Sequence, residues 1–318
     1  MDVFAQNQRL GRGVNIIGYD PGWSAPEQRR MQDEHFRLIK EAAFSHVRIP
    51  LEPFQHMADA SEEYRVEAGW FAMLDWALEQ ALANDLMVLL DCHEYNSMAR
   101  DPEGLQPKWL AFWRQMAPRY ASAPDTVLFE LLNEPNRALT PMLWNAFLAE
   151  ALALVRESNP DRTIVIGPGE WNAIEKLEEL VLPEGDRSIL VTVHYYDPFT
   201  FTHQGAPWEG RESDVGYEWH ATKSERRAIE SDFLTAQRWA MQNDRPILLG
   251  EFGAYDAADM DSRVRWTSFI ARLAESHGWS WAYWQFDSDF VVYDIDAGKW
   301  VEPIRDALVP PAVADSRP

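Results

Sequence analysis

Two glutamates stand where short apolar runs stop. The first run, 126–132, is brief and bounded in the way of a buried strand, and it ends abruptly in Asn133, Glu134 and Pro135. A proline biases the residue before it away from the right-handed helical region and removes a backbone donor. A strand that stops there holds the Asn133 and Glu134 side chains above the edge of a sheet. The second run, 247–250, ends in Glu251, with Phe252 and Gly253 after it. Two carboxyls delivered to one rim can divide the work of proton donor and nucleophile, provided the fold carries both runs to the same side.

The intervening chain alternates strand and helix patterns. Strands are expected at 14–17, 46–50, 86–90, 126–132, 163–166, 189–193, 247–250 and 279–285. Trp70, Met73, Leu74, Ala77, Leu78 and Ala81 recur at helical spacing and share one buried face, as do Trp109, Phe112, Trp113, Met116 and Tyr120. Thr140 and Pro141 make an N-cap and first-turn pair for a helix burying Trp144, Phe147, Leu148, Ala151, Leu152 and Val155. Further helices are expected at 26–44, around 171–180, at 223–241 and around Trp266, Phe269, Ile270 and Leu273. Residues 195–222 read as a long irregular segment, and loops of that length inside a compact domain are usually functional. The tail, about 311–318, is expected to fray.

Eight such alternations, without a Ser/Gly/Pro-rich linker or an internal repeat, point to a parallel (β/α)8 barrel forming one domain over 1–318. An open doubly wound sheet is the competing arrangement. Its nucleotide signature is missing, since Gly11-Arg12-Gly13 and Gly167-Pro168-Gly169 both lack the third glycine.

Composition narrows the partners. Hydrophobic residues make up 46% of the 318, and no apolar run approaches the roughly 18 residues of a membrane span. A net charge of −22 argues against nucleic acid, whose affinity comes largely from Lys and Arg displacing counterions. A neutral substrate fits better, and 15 Trp supply both core and faces on which sugars stack. Cys92 is the single cysteine, so no intramolecular disulfide forms, and its apolar run reads as a structural thiol. Residues 1–10 are polar and lack a charged segment followed by an apolar one. The expectation is a cytoplasmic protein, or one whose export signal has been removed.

In a barrel, polar residues at the C-terminal ends of strands converge on one mouth. The expected strands end in Arg48, in Asp91-Cys92-His93-Glu94, in Asn133-Glu134, in His194-Tyr195-Tyr196, in Glu251 and in Trp284-Gln285. The ordered set Val47-Arg48-Ile49-Pro50, Phe129-Glu130-Leu131-Leu132-Asn133-Glu134-Pro135, His194-Tyr195-Tyr196, Gly250-Glu251-Phe252-Gly253 and Trp284 resembles glycoside hydrolase family 5, the cellulase family. The match spans nearly the whole barrel in chain order. The resemblance implies a retaining, endo-acting glycosidase with Glu134 as acid/base and Glu251 as nucleophile. It implies Arg48, His93, Asn133, His194, Tyr196 and Trp284 as supporting residues, and no cofactor or metal. The substrate it favours is β-1,4-glucan, with β-mannan second and other β-glucans within range.

The residues can also be weighed one at a time. Arg48 beside Glu251 would favour the ionised form, Tyr196 could donate to Glu251, Asn133 to a sugar 2-hydroxyl, and Trp284 could carry the reacting ring. On the structural reading, Arg48 and His93 only satisfy buried carboxylates, His194 is a hydrogen-bonded core histidine and Trp284 is core packing. Glu94 is a further rim carboxylate, and Glu130 shares the strand parity of Glu134 and faces inward as a structural group. Trp23, Trp171, Trp208 and Trp219 lie in or beside rim loops, where sugar subsites form. A metal hydrolase would want His-x-His, or His-Glu-x-x-His, but position 97 is Ser97. Gly-x-Ser-x-Gly is absent. A non-catalytic sugar-binding barrel remains the reading from another class.

Overall fold

The computed structural model describes residues 2–311, so the tail expected to fray lies, from 312 on, outside the described residues. The strands are β1 (Arg12–Asn15), β2 (His46–Leu51), β3 (Met87–Cys92), β4 (Val127–Glu130), β5 (Ile164–Ile166), β6 (Ile189–His194), β7 (Ile247–Glu251) and β8 (Ser280–Tyr283). Each pairs in parallel with the next and β8 returns to β1, which closes the expected (β/α)8 barrel. β2 to β8 are buried along their whole length, as strands covered on both faces must be.

Side-chain parity divides the interior into two storeys. Leu89, Leu128, Val165, Leu190 and Leu248 form an apolar cluster with Val3 and Leu10 of the helix Val3–Leu10, which seals the lower end. Asn7 of that helix donates to the Ile247 carbonyl at 3.1 Å. Two residues above Leu89 and Leu128 on the same faces come Asp91 and Glu130, both fully buried. The outward residues of the strands pack on the surrounding helices, where the spaced tryptophans Trp70, Trp109, Trp113 and Trp144 are wholly enclosed.

β1 is shifted to Arg12–Asn15 and β8 shortened to Ser280–Tyr283, the helix around 171–180 is a kinked turn Gly169–Asn172 and a 3-10 segment Ile174–Glu179, and three further expected elements differ. The helix expected over 26–44 is a 3-10 turn Pro26–Gln28 and a helix Asp33–Glu41. Between them the Asp20 carboxylate captures the N–H groups of Arg30 and Met31 at 2.8 to 3.2 Å, which removes donors a continuous helix would need. The irregular segment 195–222 contains two short helical turns, Phe199–Thr202 and Pro207–Glu209. The strand expected to reach residue 132 stops at Glu130. There the Leu131 carbonyl accepts from the indole N–H of both Trp109 and Trp113, each at 3.0 Å, so the helix Pro102–Arg119 holds the chain where it leaves the sheet.

That shared carbonyl predicts a non-additive effect. Trp109→Phe or Trp113→Phe leaves Leu131 one donor, whereas the double variant strands a buried acceptor. Each single change is expected to cost about 1 kcal/mol beyond its packing loss, and the pair about 1 kcal/mol more than the sum. Denaturant unfolding in a double-mutant cycle measures this, and strict additivity would contradict it.

Candidate active site

The site rises from Arg48, which β2 buries completely. Its Nε and Nη2 grip Glu130 at 2.7 and 2.9 Å as a fork, Nη2 also reaches Asn133 Oδ1 at 2.8 Å, and Asp91 Oδ2 lies 2.9 Å away. Nη1 donates to Asn15 Oδ1 at 2.9 Å and to Glu251 Oε1 at 2.7 Å. Glu130 is therefore the structural group expected, and Arg48 joins β1, β3, β4 and β7. One cation shared among three carboxylates does not offset burial for all of them. Burial pushes Asp91 up to about 7 and also raises Glu130, with Arg48 opposing in each case. His93 Nδ1 lies 2.6 Å from Asp91 Oδ2, and burial lowers the imidazole below its ordinary value.

Glu134 departs from the expected extended backbone, with φ at +41°. Such a conformation costs a non-glycine residue about 1–3 kcal/mol and persists where neighbours over-determine it. Here Asn133 N–H is fixed to the Cys92 carbonyl at 2.9 Å, Asn136 donates to the Glu134 carbonyl at 2.7 Å, and Trp171 N–H bonds the Pro135 carbonyl at 3.2 Å. Glu251 arrives from β7. The register between β6 and β7 shifts there: Val193 stands opposite Leu249, but His194 stands opposite Glu251 in place of Tyr195. Gly250 makes the shift possible, since a Cβ at that position would lie 2.4 Å from Thr192 Oγ1 and 3.0 Å from His194 Nε2.

Oxygens of Glu134 and Glu251 and Nδ1 of His194 all lie within 4.8 Å of one another. Nδ1 is 2.7 Å from Glu134 Oε1 and 3.6 Å from Glu251 Oε2. Among the described residues these three are the group close enough to ligate a cation, although the sequence implied no metal. Burial raises both carboxyls, Glu134 to about 7, against the pull of the Arg48 cation on each. Their hydrogen bonds separate them. Glu251 accepts from the Arg48 guanidinium and from the Tyr196 hydroxyl at 3.0 Å, contacts that favour a carboxylate, whereas Glu134 faces a neutral imidazole.

A cleft of about 860 Å³ opens above the pair. Trp284 lines it, stacked on His93 with centroids 5.6 Å apart, and Tyr19 meets Trp284 edge-on at 6.1 Å. His93, Asn133, Glu134, His194, Tyr196, Glu251 and Trp284 all line this cleft, and Arg48 lies beneath it. Trp171 and Trp208 line it too and are 43% and 48% exposed. Trp219, in contrast, is buried against Phe269, and Trp23 packs on Trp70. Glu94 is a buried anchor for the Phe54 N–H at 2.6 Å, with its carboxyl raised to about 7 by burial. Strands β1 and β5, where no site residue was expected, supply Asn15 and, from the loop after β5, Asn172 against His194. Neither belongs to a recognisable motif; Asn15 ends β1, and Asn172, six residues past β5, carried no signal.

Removing the buried cation tests this floor. Arg48→Met is expected to lower stability by about 3–5 kcal/mol by leaving carboxylates unpaired. The raised carboxyls hold more protons in the folded state than in the unfolded one, and losing the cation raises them further. The deficit therefore grows as pH increases from 5 to 8. Thermal unfolding across that range reads it, and a pH-independent deficit would exclude this account.

Residues 8–289 match the sequence model of Cellulase (glycosyl hydrolase family 5). Endoglucanase H of Acetivibrio thermocellus is 26% identical over 99% of this chain, which spans 34% of that relative's length. Endoglucanase C of the same organism is 26% identical, with 93% of this chain aligned to 96% of its own. Among solved structures, endoglucanase Cel5A from Thermotoga maritima is 42% identical and superposes with a TM-score of 0.91 over 97% of this chain and 100% of that one. The same enzyme has been solved with cellobiose and with mannotriose. Barrel, ordered strand-end residues and family match agree, and the chain belongs to glycosyl hydrolase family 5, the cellulase family.

Proposed function

We propose that this protein is an endo-acting, retaining β-1,4-glucanase, with the barrel as one catalytic domain, Glu134 as acid/base and Glu251 as nucleophile. The observation that carries the reading is the closeness of the carboxylates: one oxygen of each lies within 4.8 Å of one of the other, which suits the roughly 5–5.5 Å spacing of a retaining pair better than the roughly 6.5–9.5 Å of an inverting one. In the first step a Glu251 oxygen bonds to the anomeric carbon as the glycosidic bond breaks, and Glu134 gives its proton to the departing oxygen. In the second, Glu134 takes a proton from water, whose oxygen displaces Glu251 from the anomeric carbon.

The neighbours fit these roles. Arg48 and Tyr196 bond Glu251 as a carboxylate, the state in which it attacks and departs. Asn133 spends its Oδ1 on Arg48, which leaves the amide N–H groups for a sugar 2-hydroxyl. Trp284 offers a face for the reacting ring, and Trp171 and Trp208 faces for sugars further along the cleft. β-Mannan is a second candidate substrate, favoured by the mannotriose complex of the 41% identical Cel5A.

Hydroxyethylcellulose hydrolysis is expected from the parent enzyme and is expected to fall on the order of 10⁴-fold or more in Glu251→Ala. Undiminished hydrolysis would remove Glu251 as nucleophile, and none from the parent on any β-glucan or β-mannan would favour a sugar-binding barrel. In Glu134→Gln, a dinitrophenyl cellobioside is expected to glycosylate the enzyme but release product slowly, and azide to restore turnover. Full activity without azide overturns the assignment.

The pH profile carries a sign. Glu134 must be protonated to act as acid, so kcat/KM is expected to fall as pH rises through about 7. That limb should vanish in Glu134→Gln with the activated substrate; its persistence would assign the limb to another group.

A further inference from the structure

The loop after β5 holds a buried side chain that the mechanism has not used. Asn172 is fully enclosed, and its Nδ2 lies 3.2 Å from His194 Nε2. The other ring nitrogen, Nδ1, lies 2.7 Å from Glu134 Oε1. Reaching this position requires three successive left-handed residues, Glu170, Trp171 and Asn172, with φ of 53°, 62° and 56°. Side chains enter that region at a cost. Trp171 N–H anchors the run to the Pro135 carbonyl, next to Glu134. Gly167 provides the space, since a Cβ there would lie 2.0 Å from Asn172 Oδ1. That oxygen is buried without a partner, so the amide's side-chain hydrogen bonding is spent on His194.

A neutral imidazole carries one ring proton, and an amide NH2 group only donates. Nε2, facing that NH2, is therefore an acceptor, and the ring proton sits on Nδ1, where it is donated to Glu134 Oε1. We propose that Asn172 is a positioning residue of the acid/base cycle: by holding His194 in its Nδ1–H form, it keeps Oε1 of Glu134 occupied and leaves the transferable proton on Oε2. The inference rests on the reading of Glu134 as acid/base. Burial supports it by pushing His194 down to about 4, which keeps the ring neutral. The charged and titratable groups acting on His194 and Glu134 from other elements are Arg48 on β2, Asp91 on β3 with His93 just after it, Glu130 on β4 and Glu251 on β7. Tyr196, two residues after His194, bonds Glu251.

Asn172→Asp preserves size and tolerance of the left-handed backbone but replaces a donor with an acceptor. It is expected to draw a proton onto Nε2 while Nδ1 keeps its own, and the resulting imidazolium lowers Glu134. The high-pH limb of kcat/KM then moves down by about one unit or more, and kcat on cello-oligosaccharides falls about tenfold or more with KM little changed. Nitrogen-15 NMR of the substrate-free enzyme reads the ring directly, with the Nδ1–H tautomer expected in the parent and a doubly protonated ring in the variant. This readout needs no turnover, so its failure is distinct from failure of Glu134 as acid/base, which the azide experiment tests. An Nε2–H tautomer in the parent, or a folded Asn172→Asp with the parent's tautomer and pH limb, overturns the proposal.

Discussion

The Arg48 guanidinium sits with no exposure between the apolar plug of the barrel and the open cleft, and five residues from around the barrel bond to it. Taking an ion out of water costs several kcal/mol, and each close pair returns a similar amount, so the arrangement is a weak source of net stability. What it supplies is position. Arginine offers its donors in a fixed plane, and Glu130, Asn133, Asn15 and Glu251 must meet that plane from β1, β4 and β7 together. A lysine would offer charge without the geometry. The distance between the two glutamates of the mouth therefore depends on a side chain that lines neither wall of the cleft.

From the same cation comes the difference between those glutamates. Both are desolvated, and desolvation alone would raise both. Glu251 lies on Arg48 and beneath the Tyr196 hydroxyl, whereas Glu134 has turned away through a left-handed residue onto neutral His194. One fold thus gives two like groups unlike neighbours, which is what a proton donor and a nucleophile side by side require.

The barrel was legible because its causes are local and repeated: apolar runs of strand length, helical spacing of Trp109 with Trp113, and the Thr140-Pro141 cap each specify one element. The mouth was legible where a motif ended a strand, as at Glu134 and Glu251. Asn15 and Asn172 were not, because an asparagine acquires its role from what faces it across the barrel, and spacing along the chain does not encode that. Glu134's positive φ is of the same kind, imposed by the Cys92, Asn136 and Trp171 contacts. Trp171 and Trp219 look alike in sequence, yet one lines the cleft and the other closes the core against Phe269.

Charge links composition to chemistry. The net −22 of the chain is concentrated enough at the mouth that Glu170, Glu175, Asp197, Glu209, Asp232 and Asp289 join the two central glutamates on the cleft wall, against Arg137. A neutral polysaccharide enters such a cleft without electrostatic cost, whereas a polyanion is repelled.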